Sequence, residues 1–296
     1  MIRNLTRKLL KRFVRLAYKS ENCEGEFSKR IKRRHRRFWK AANAEKIRNT
    51  ILTENDPLER WKDVKNWQRR LSNKYNSREF AVKHDCKVAR LYWKGRDYDN
   101  IDFGNIPENF VIRPTRGHSM QHVFLMSNSV NLMDGKIYSK KEIKEILINA
   151  LKEDGDLEFL IEEFVKTEAG EYKIPDDYKF YMFNGEVACI QVINRCSNTK
   201  ACTSWYDENW NFIGNLTVNY PDGKKQTAPA CLDEMKAAAK RLSMSYQIFV
   251  RIDFYATDKG AVFGEFTPTP GLGKGFTPAG DKLLATCWNK YCKGMI

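Results

Sequence analysis

The sequence predicts an α+β chain: helices mixed with mainly antiparallel strands around a substantial apolar core. Three observations predict it. At 296 residues with 42% hydrophobic content, the chain can hold one large or two modest domains. "KKEIKEILINALKED" repeats its apolar residues at helical spacing. Two paired apolar runs close on tight turns, one at Asn184-Gly185 and one at Asp258-Lys259-Gly260.

The elements follow in order. "MIRNLTRKLLKRFVRLAYK" places Ile2, Leu5, Leu9, Phe13 and Leu16 on one helical face with Arg and Lys between. "SKRIKRRHRRFWKAANAEKIRN" reads as a second basic helix. "DPLERWKDVKNWQRRLSNKY" reads as a helix with Trp61, Val64, Trp67 and Leu71 on one face. "CKVARLYW" is strand-like, and Asp97 to Glu108 is a turn-rich connection. "NFVIRP" and "HVFLM" are short strands joined by the loop "TRGHSMQ". After the Lys140–Asp154 helix come the strand "EFLIEEFV", the hairpin "YKFYMFNGEVACIQVIN", short strands and turns around "ENWNFIG", and the helix "CLDEMKAAAKRLS". The hairpin "VRIDFYATDKGAVFGEFTPTPG" follows.

Charge is placed unevenly. Residues 1–50 carry 17 Lys/Arg against four acids, +13 of the total +15, which leaves +2 for the other 246 residues. A nearly neutral body argues against a specific nucleic-acid partner. The basic stretch, residues 1–48, reads as a helical extension that contacts an anionic membrane or an acidic polymer, or as helices packed on their own domain. No secretory signal is recognised and no apolar run reaches the roughly 18 residues of a membrane span. The expectation is a cytoplasmic protein with reduced thiols, peripheral at the inner face of the membrane if the basic stretch docks there. The eight cysteines and four histidines fit no common zinc spacing.

The last hairpin carries the chemistry. A three-residue Asp-Lys-Gly loop pairs Thr257 with Ala261, which sets Asp253 opposite Glu265 and Arg251 opposite Thr267 on one face. Val250, Ile252, Phe254, Val262 and Phe266 fall on the other, a core face. Facing carboxylates repel unless a cation, a shared proton or a basic side chain neutralises them. Arg251 could serve as a structural salt bridge. A hard divalent ion such as Mg²⁺ could equally sit between two carboxylate oxygens.

The order of the elements adds to this. "NKYNSREF", "IPENFVIRPTRG", "FLIEEFV", "IPDDYKFYMFNGEV" and "VRIDFYATDKGAVFGEFTPTPG", between Ser72 and Asp281, together resemble the ATP-grasp superfamily, in its TupA-like branch. That branch is associated with teichuronopeptide and other cell-surface polysaccharide synthesis. The resemblance implies two α+β subdomains gripping ATP: a lead-in region at 49–105, a lid at 106–164 and a metal- and ATP-binding subdomain at 165–296. It implies ATP and Mg²⁺ as cofactors, with Asp253, Glu265 and Thr267 as metal ligands; the family pattern has Asn where Thr267 stands. Arg113 stands where the family has a lysine reaching the phosphates. Arg116, Gly117, His118 and Ser119 lie in a phosphate-covering flap that is poor in glycine. Glu162, Glu163, Phe164 and Val165 resemble the linker that holds adenine. Asp177 and Lys179 share a strand face beside the phosphates, and Arg251, Lys179 and Arg195 are the implied catalytic cations. The implied activity is ATP-dependent carboxylate–amine ligation through an acylphosphate. A small-molecule or sugar kinase on the same fold, or a degenerate scaffold, are the alternatives.

Overall fold

The computed structural model describes residues 25–117, 122–195 and 200–292. The helix read at residues 2–16 lies outside them. Seven helices are described: α1 (Glu26–Trp39), α2 (Ala44–Asn49), α3 (Leu58–Trp61), α4 (Lys74–Lys83), α5 (Lys140–Glu153), α6 (Leu232–Tyr246) and α7 (Pro278–Tyr291). The strands are β1 (Leu91–Gly95), β2 (Phe110–Pro114), β3 (Phe124–Ser127), β4 (Val130–Asn131), β5 (Lys136–Ile137), β6 (Phe159–Glu163), β7 (Asp177–Phe183), β8 (Glu186–Arg195), β9 (Ala201–Tyr206), β10 (Val250–Thr257) and β11 (Gly260–Thr267).

They form two antiparallel sheets. One runs β1-β6-β2-β3-β4-β5, and the other β11-β10-β7-β8-β9. In the first, Ile112, Phe159 and Ile161 pack under Ile143 and Leu147 of α5. Ser139 caps α5 by bonding the Glu142 N–H while Glu142 reaches back to Ser139, so the helix starts where the sequence pattern begins.

The second sheet is covered on both faces. Phe180, Ile252, Phe254 and Phe266 pack against Met235, Ala239 and Tyr246 of α6 and against Phe80 of α4. On the opposite face Tyr181, Phe183 and Phe249 meet Phe27 and Ile31 of α1 and Leu284 and Trp288 of α7. Along β7 this second face changes character, from the aromatic Phe183 and Tyr181 to Lys179 and Asp177. The aromatic end lies under α1 and α7, and the ionic end belongs to the candidate site.

The β7–β8 turn is as predicted, with positive φ at both Asn184 (49°) and Gly185 (93°), the geometry of a two-residue hairpin loop. Four local expectations are corrected. The β10–β11 turn has two residues, because Thr257 pairs with Gly260 and not with Ala261. A bulge at Gly264 then shifts the register by one, so Asp253 still faces Glu265 and Arg251 still faces Thr267. The shift also moves Val262 to the Asp253 face, opposite Tyr255, and turns Ala261 and Phe263 into the core. The helix expected over 56–75 is broken: α3 ends at Trp61, Asn66 takes a left-handed φ of 59°, and a 3₁₀ turn spans Trp67–Ser72 before α4. The second basic helix is likewise two pieces, α1 and α2. Finally α7, which the sequence reading left unassigned, completes the core beside α1.

α1 is an integral core element. Phe27, Ile31 and Phe38 are fully buried. The Asp281 carboxylate, in the first turn of α7, accepts hydrogen bonds from the Phe27 and Ser28 N–H groups, both at 2.9 Å. It satisfies two donors that the start of α1 leaves unpaired.

Candidate active site

The site grows from four neighbouring strands of the second sheet. Arg195 on β8, Asp177 and Lys179 on β7, Arg251 and Asp253 on β10 and Glu265 on β11 lie in a row of alternating charge. Arg195 Nε is 3.1 Å from Asp177 Oδ2, and Lys179 Nζ is 3.4 Å from the same oxygen. Lys179 Nζ donates to Asp253 Oδ2 at 2.5 Å. Arg251 grips Asp253 through Nε and Nη2, both at 2.7 Å. Its Nη2 also lies 3.4 Å from Glu265 Oε1 and 2.9 Å from Thr267 Oγ1, and the Thr267 hydroxyl donates to Glu265 at 3.1 Å.

Burial sharpens these pairings. Asp253 is 2% exposed, and burial alone pushes its carboxyl up; Arg251 and Lys179 pull it down further, and the net result lies below the usual range. Burial likewise disfavours the Arg251 guanidinium, but Asp253 outweighs it and keeps the group charged. Removing either partner would leave the other buried with less compensation. Glu265 is the freer acid, its side chain 38% exposed at the rim.

The oxygens of Asp253, Glu265 and Thr267 converge on one point, and the cationic Arg251 Nη2 stands there. That donor set, two carboxylates and a hydroxyl, suits a hard ion whose remaining ligands are phosphate oxygens and water. Among the described residues no three His, Cys, Asp or Glu side chains are grouped as they would be to hold a metal ion.

The first sheet supplies the opposing wall. Arg113, at the end of β2, binds the Glu162 carboxylate at 2.5 and 3.3 Å and reaches the Gly264 carbonyl across the gap at 3.5 Å. Gly264 permits the bulge, because a Cβ there would meet the Asp253 carbonyl oxygen and the Tyr255 ring, both at 3.1 Å. Burial opposes the Arg113 charge, but Glu162 outweighs it and raises the pKa.

Other expected residues fall nearby with defined partners. The Glu163 carboxylate pairs with Lys259 of the β10–β11 turn and accepts from the Arg90 N–H at 3.2 Å, tying the two sheets together. The strand β6 is internal, and its main chain at Glu162 and Glu163 pairs with neighbouring strands. Phe164 and Val165 come just past it, both buried. Arg116 is engaged by Asp154 at the end of α5. Gly117 has φ 115°; His118 and Ser119 lie outside the described residues.

Sequence reading missed Lys74. At the first position of α4, its main-chain N–H donates to the Thr115 carbonyl at 2.7 Å and its Nζ reaches the Gly117 carbonyl at 3.4 Å. It thereby touches both ends of the described part of the flap. Burial lowers its pKa, with Glu265 opposing and Arg113 adding to the shift, so it shares a space with both. The signal lay in "NKYNSREF", but a lysine at a helix start ordinarily reads as solvated. Tyr255, on the Asp253 face, was missed as well.

Two sheets facing across a row of cations and carboxylates define the ATP-grasp fold. Among solved structures the chain resembles D-alanine–D-alanine ligase from Bacillus anthracis, at 16% identity and a TM-score of 0.50, covering 75% of this chain and 68% of that one. The same enzyme complexed with ATP matches at 14% identity and TM-score 0.49, covering 75% of this chain. The D-cycloserine synthetase DcsG matches at 15% identity and TM-score 0.46, over 80% of this chain and 77% of its own. The chain spans 65% of the length of the ATP-complexed ligase. Comparison with curated proteins gave no match. The TupA-like ATP-grasp family matches residues 31–287, and the chain belongs to that family.

Proposed function

We propose that the protein is an ATP-dependent carboxylate–amine ligase that works through an acylphosphate and modifies a cell-surface polysaccharide or peptide polymer. The row Arg195–Asp177–Lys179–Asp253–Arg251–Glu265 carries this reading. Its alternating charges hold three cations at fixed positions beside three carboxylates, an arrangement that suits a polyphosphate and its counter-ion.

The roles follow from placement. Arg113 and Lys74 meet the phosphates from the lid side, where Lys74 also contacts the Thr115 and Gly117 carbonyls. The main chain at Phe164 and Val165 takes the adenine edge, since Glu162 and Glu163 already pair within the sheet. An Mg²⁺ bound by Asp253, Glu265 and Thr267 would neutralise the diphosphate leaving group. Lys179 and Arg251 stabilise charge on the transferring phosphoryl, and both are held in place by Asp253. An acceptor carboxylate attacks the γ-phosphorus and ADP departs. An amine then attacks the acyl carbon, loses its proton, and phosphate leaves. Arg195, anchored by Asp177, faces the acceptor carboxylate. No protein nucleophile is required.

We place the contact with an anionic membrane or acidic polymer in residues 1–48, and the protein peripheral at the inner membrane face. The domain limits 1–48, 49–105, 106–164 and 165–296 are proposed with two changes: α1 packs into the core of the second sheet, and β1 (Leu91–Gly95) joins the lid's sheet.

ADP release should be measured across pooled carboxylate and amine acceptors, with products read by mass spectrometry. An amide formed stoichiometrically with ADP is expected. ADP with a stable phosphorylated acceptor and no amide would turn the assignment to a kinase. No acceptor-dependent ADP release from any pool would reject both.

A further inference from the structure

The solvent face of α1 carries a polybasic stripe, and a strained apolar loop packs along the helix beside Ser28, Ile31 and Lys32. Lys29, Arg33, Arg36, Arg37 and Lys40 recur at helical spacing and are all exposed, while Phe27, Ile31, Arg34 and Phe38 fill the buried face. The one acid of α1, Glu26, pairs with Arg30. The loop that follows Thr267 lies directly on this helix. A Cβ at Gly273 would come within 2.5 Å of the Ser28 carbonyl oxygen and 3.3 Å of Lys32 Cγ. Beside Gly273, Leu272 is held at φ 52°, a left-handed conformation that leucine rarely adopts, and it is 43% exposed. Lys274 is exposed next to it. Val218, 54% exposed, joins the same rim because its N–H donates to the Gly275 carbonyl at 2.8 Å.

We infer that α1 and the Pro270–Gly275 loop together form a docking surface for a bilayer containing anionic lipid. The cations complement the headgroups, and Leu272 and Val218 enter the interface. A soluble polyanion would use the stripe but has no use for the two apolar side chains. The loop that holds Leu272 also leads back to the candidate site. Arg34, buried in α1 with its guanidinium 4.6 Å over the Trp288 ring, donates to the carbonyls of Phe249 and Pro268 at 2.6 and 3.3 Å. Pro268 directly follows Thr267. The docked face is therefore hydrogen-bonded, through Arg34, to the Thr267 end of the site, which would set that end toward the membrane. If the ligase reading holds, the acceptor class is one anchored in the bilayer; the docking itself does not depend on that reading.

The test is co-sedimentation of the full chain with phosphatidylcholine vesicles, with and without phosphatidylglycerol. Neither ATP nor acceptor is needed, so failure here is separate from failure of the ligase assignment. Wild type should bind only the anionic vesicles. Arg33→Glu, Arg36→Glu and Arg37→Glu together should weaken binding on the order of a hundredfold. Leu272→Ser should weaken it about tenfold. Both variants should keep the wild-type melting temperature, since all four side chains are exposed. Undiminished vesicle binding by the triple variant would overturn the proposal. So would loss of binding only on deletion of residues 1–20. Leu272→Ser binding vesicles as wild type does, with soluble polyphosphate competing equally for both, would assign the stripe to a polyanion instead.

Discussion

The two acids of the β10–β11 hairpin should respond very differently to neutralisation. Glu265→Gln removes a half-exposed charge whose partners are Thr267 at 3.1 Å and a long 3.4 Å approach from Arg251. An exposed pair of this kind contributes about 0–1 kcal/mol. The metal-free variant should therefore melt within about 2 °C of wild type. Asp253→Asn is another matter. Asp253 is the shared partner of Arg251 and Lys179, and its neutralisation leaves each cation only a longer 3.4 Å approach to Glu265 or Asp177, at a cost of about 3–5 kcal/mol. Mg²⁺-ATP at a hundredfold over its dissociation constant should add about 2.7 kcal/mol to wild type, or roughly 5–10 °C. Glu265→Gln should lose most of that gain while keeping its resting stability. Thermal melts of the three proteins, with and without Mg²⁺-ATP, read both effects. A Glu265→Gln protein that is strongly destabilised when empty, yet gains as much as wild type from Mg²⁺-ATP, would refute the assignment of these oxygens to a metal.

Three further outcomes are expected. Lys74→Met should weaken Mg²⁺-ATP binding about 10- to 100-fold, the loss of one charged hydrogen bond, with little change in stability; unchanged affinity by calorimetry would remove Lys74 from the site. Burial, then Glu54, pushes the Glu79 carboxyl up to about 7. Because the folded value lies above the unfolded one, its favourable contribution is complete at acid pH and fades as pH rises through about 7; Glu79→Gln should flatten that slope in denaturant midpoints between about pH 5 and 8, and an identical slope would contradict the reading. Deleting residues 1–24 should leave a folded protein, whereas Phe27→Ala should cost about 3–5 kcal/mol by opening a cavity among Phe183, Phe249 and Trp288; a Phe27→Ala melt matching wild type would show that α1 is not part of the core.

Much of the site could be read from the sequence because strand periodicity fixes faces. Asp253 with Arg251, and Asp177 with Lys179, fall on one side of their strands whatever else the chain does. The pairing of Asp253 with Glu265 came out through two compensating departures, a shorter turn and a bulge at Gly264. No local pattern announces that bulge, since a strand glycine serves equally as a weak spot or a close approach. Lys74 was hidden for a different reason. Its environment is made by Thr115, Gly117 and Glu265, all distant in sequence. The break at Asn66 reflects tertiary packing of Trp61 and Trp67 around Phe80, which overrides helical spacing. The depth of α1 was obscured by its charge, because the same positions that bury Phe27, Ile31 and Phe38 are interleaved with arginines.

The central claim is that Asp253, Glu265 and Thr267 surround a metal-bound phosphate while Arg251 and Lys179 hold the phosphoryl group. A crystal structure with Mg²⁺ and a non-hydrolysable ATP analogue tests it most directly. The account predicts a metal about 2.1 Å from oxygens of Asp253 and Glu265. It also predicts that Arg251 Nη2 withdraws from Thr267 toward the γ-phosphate, and that Lys74 Nζ lies within hydrogen-bond distance of a phosphate oxygen. Nucleotide bound away from this row, or bound with Arg251 still bridging Asp253, Glu265 and Thr267 and no metal between the acids, would contradict it.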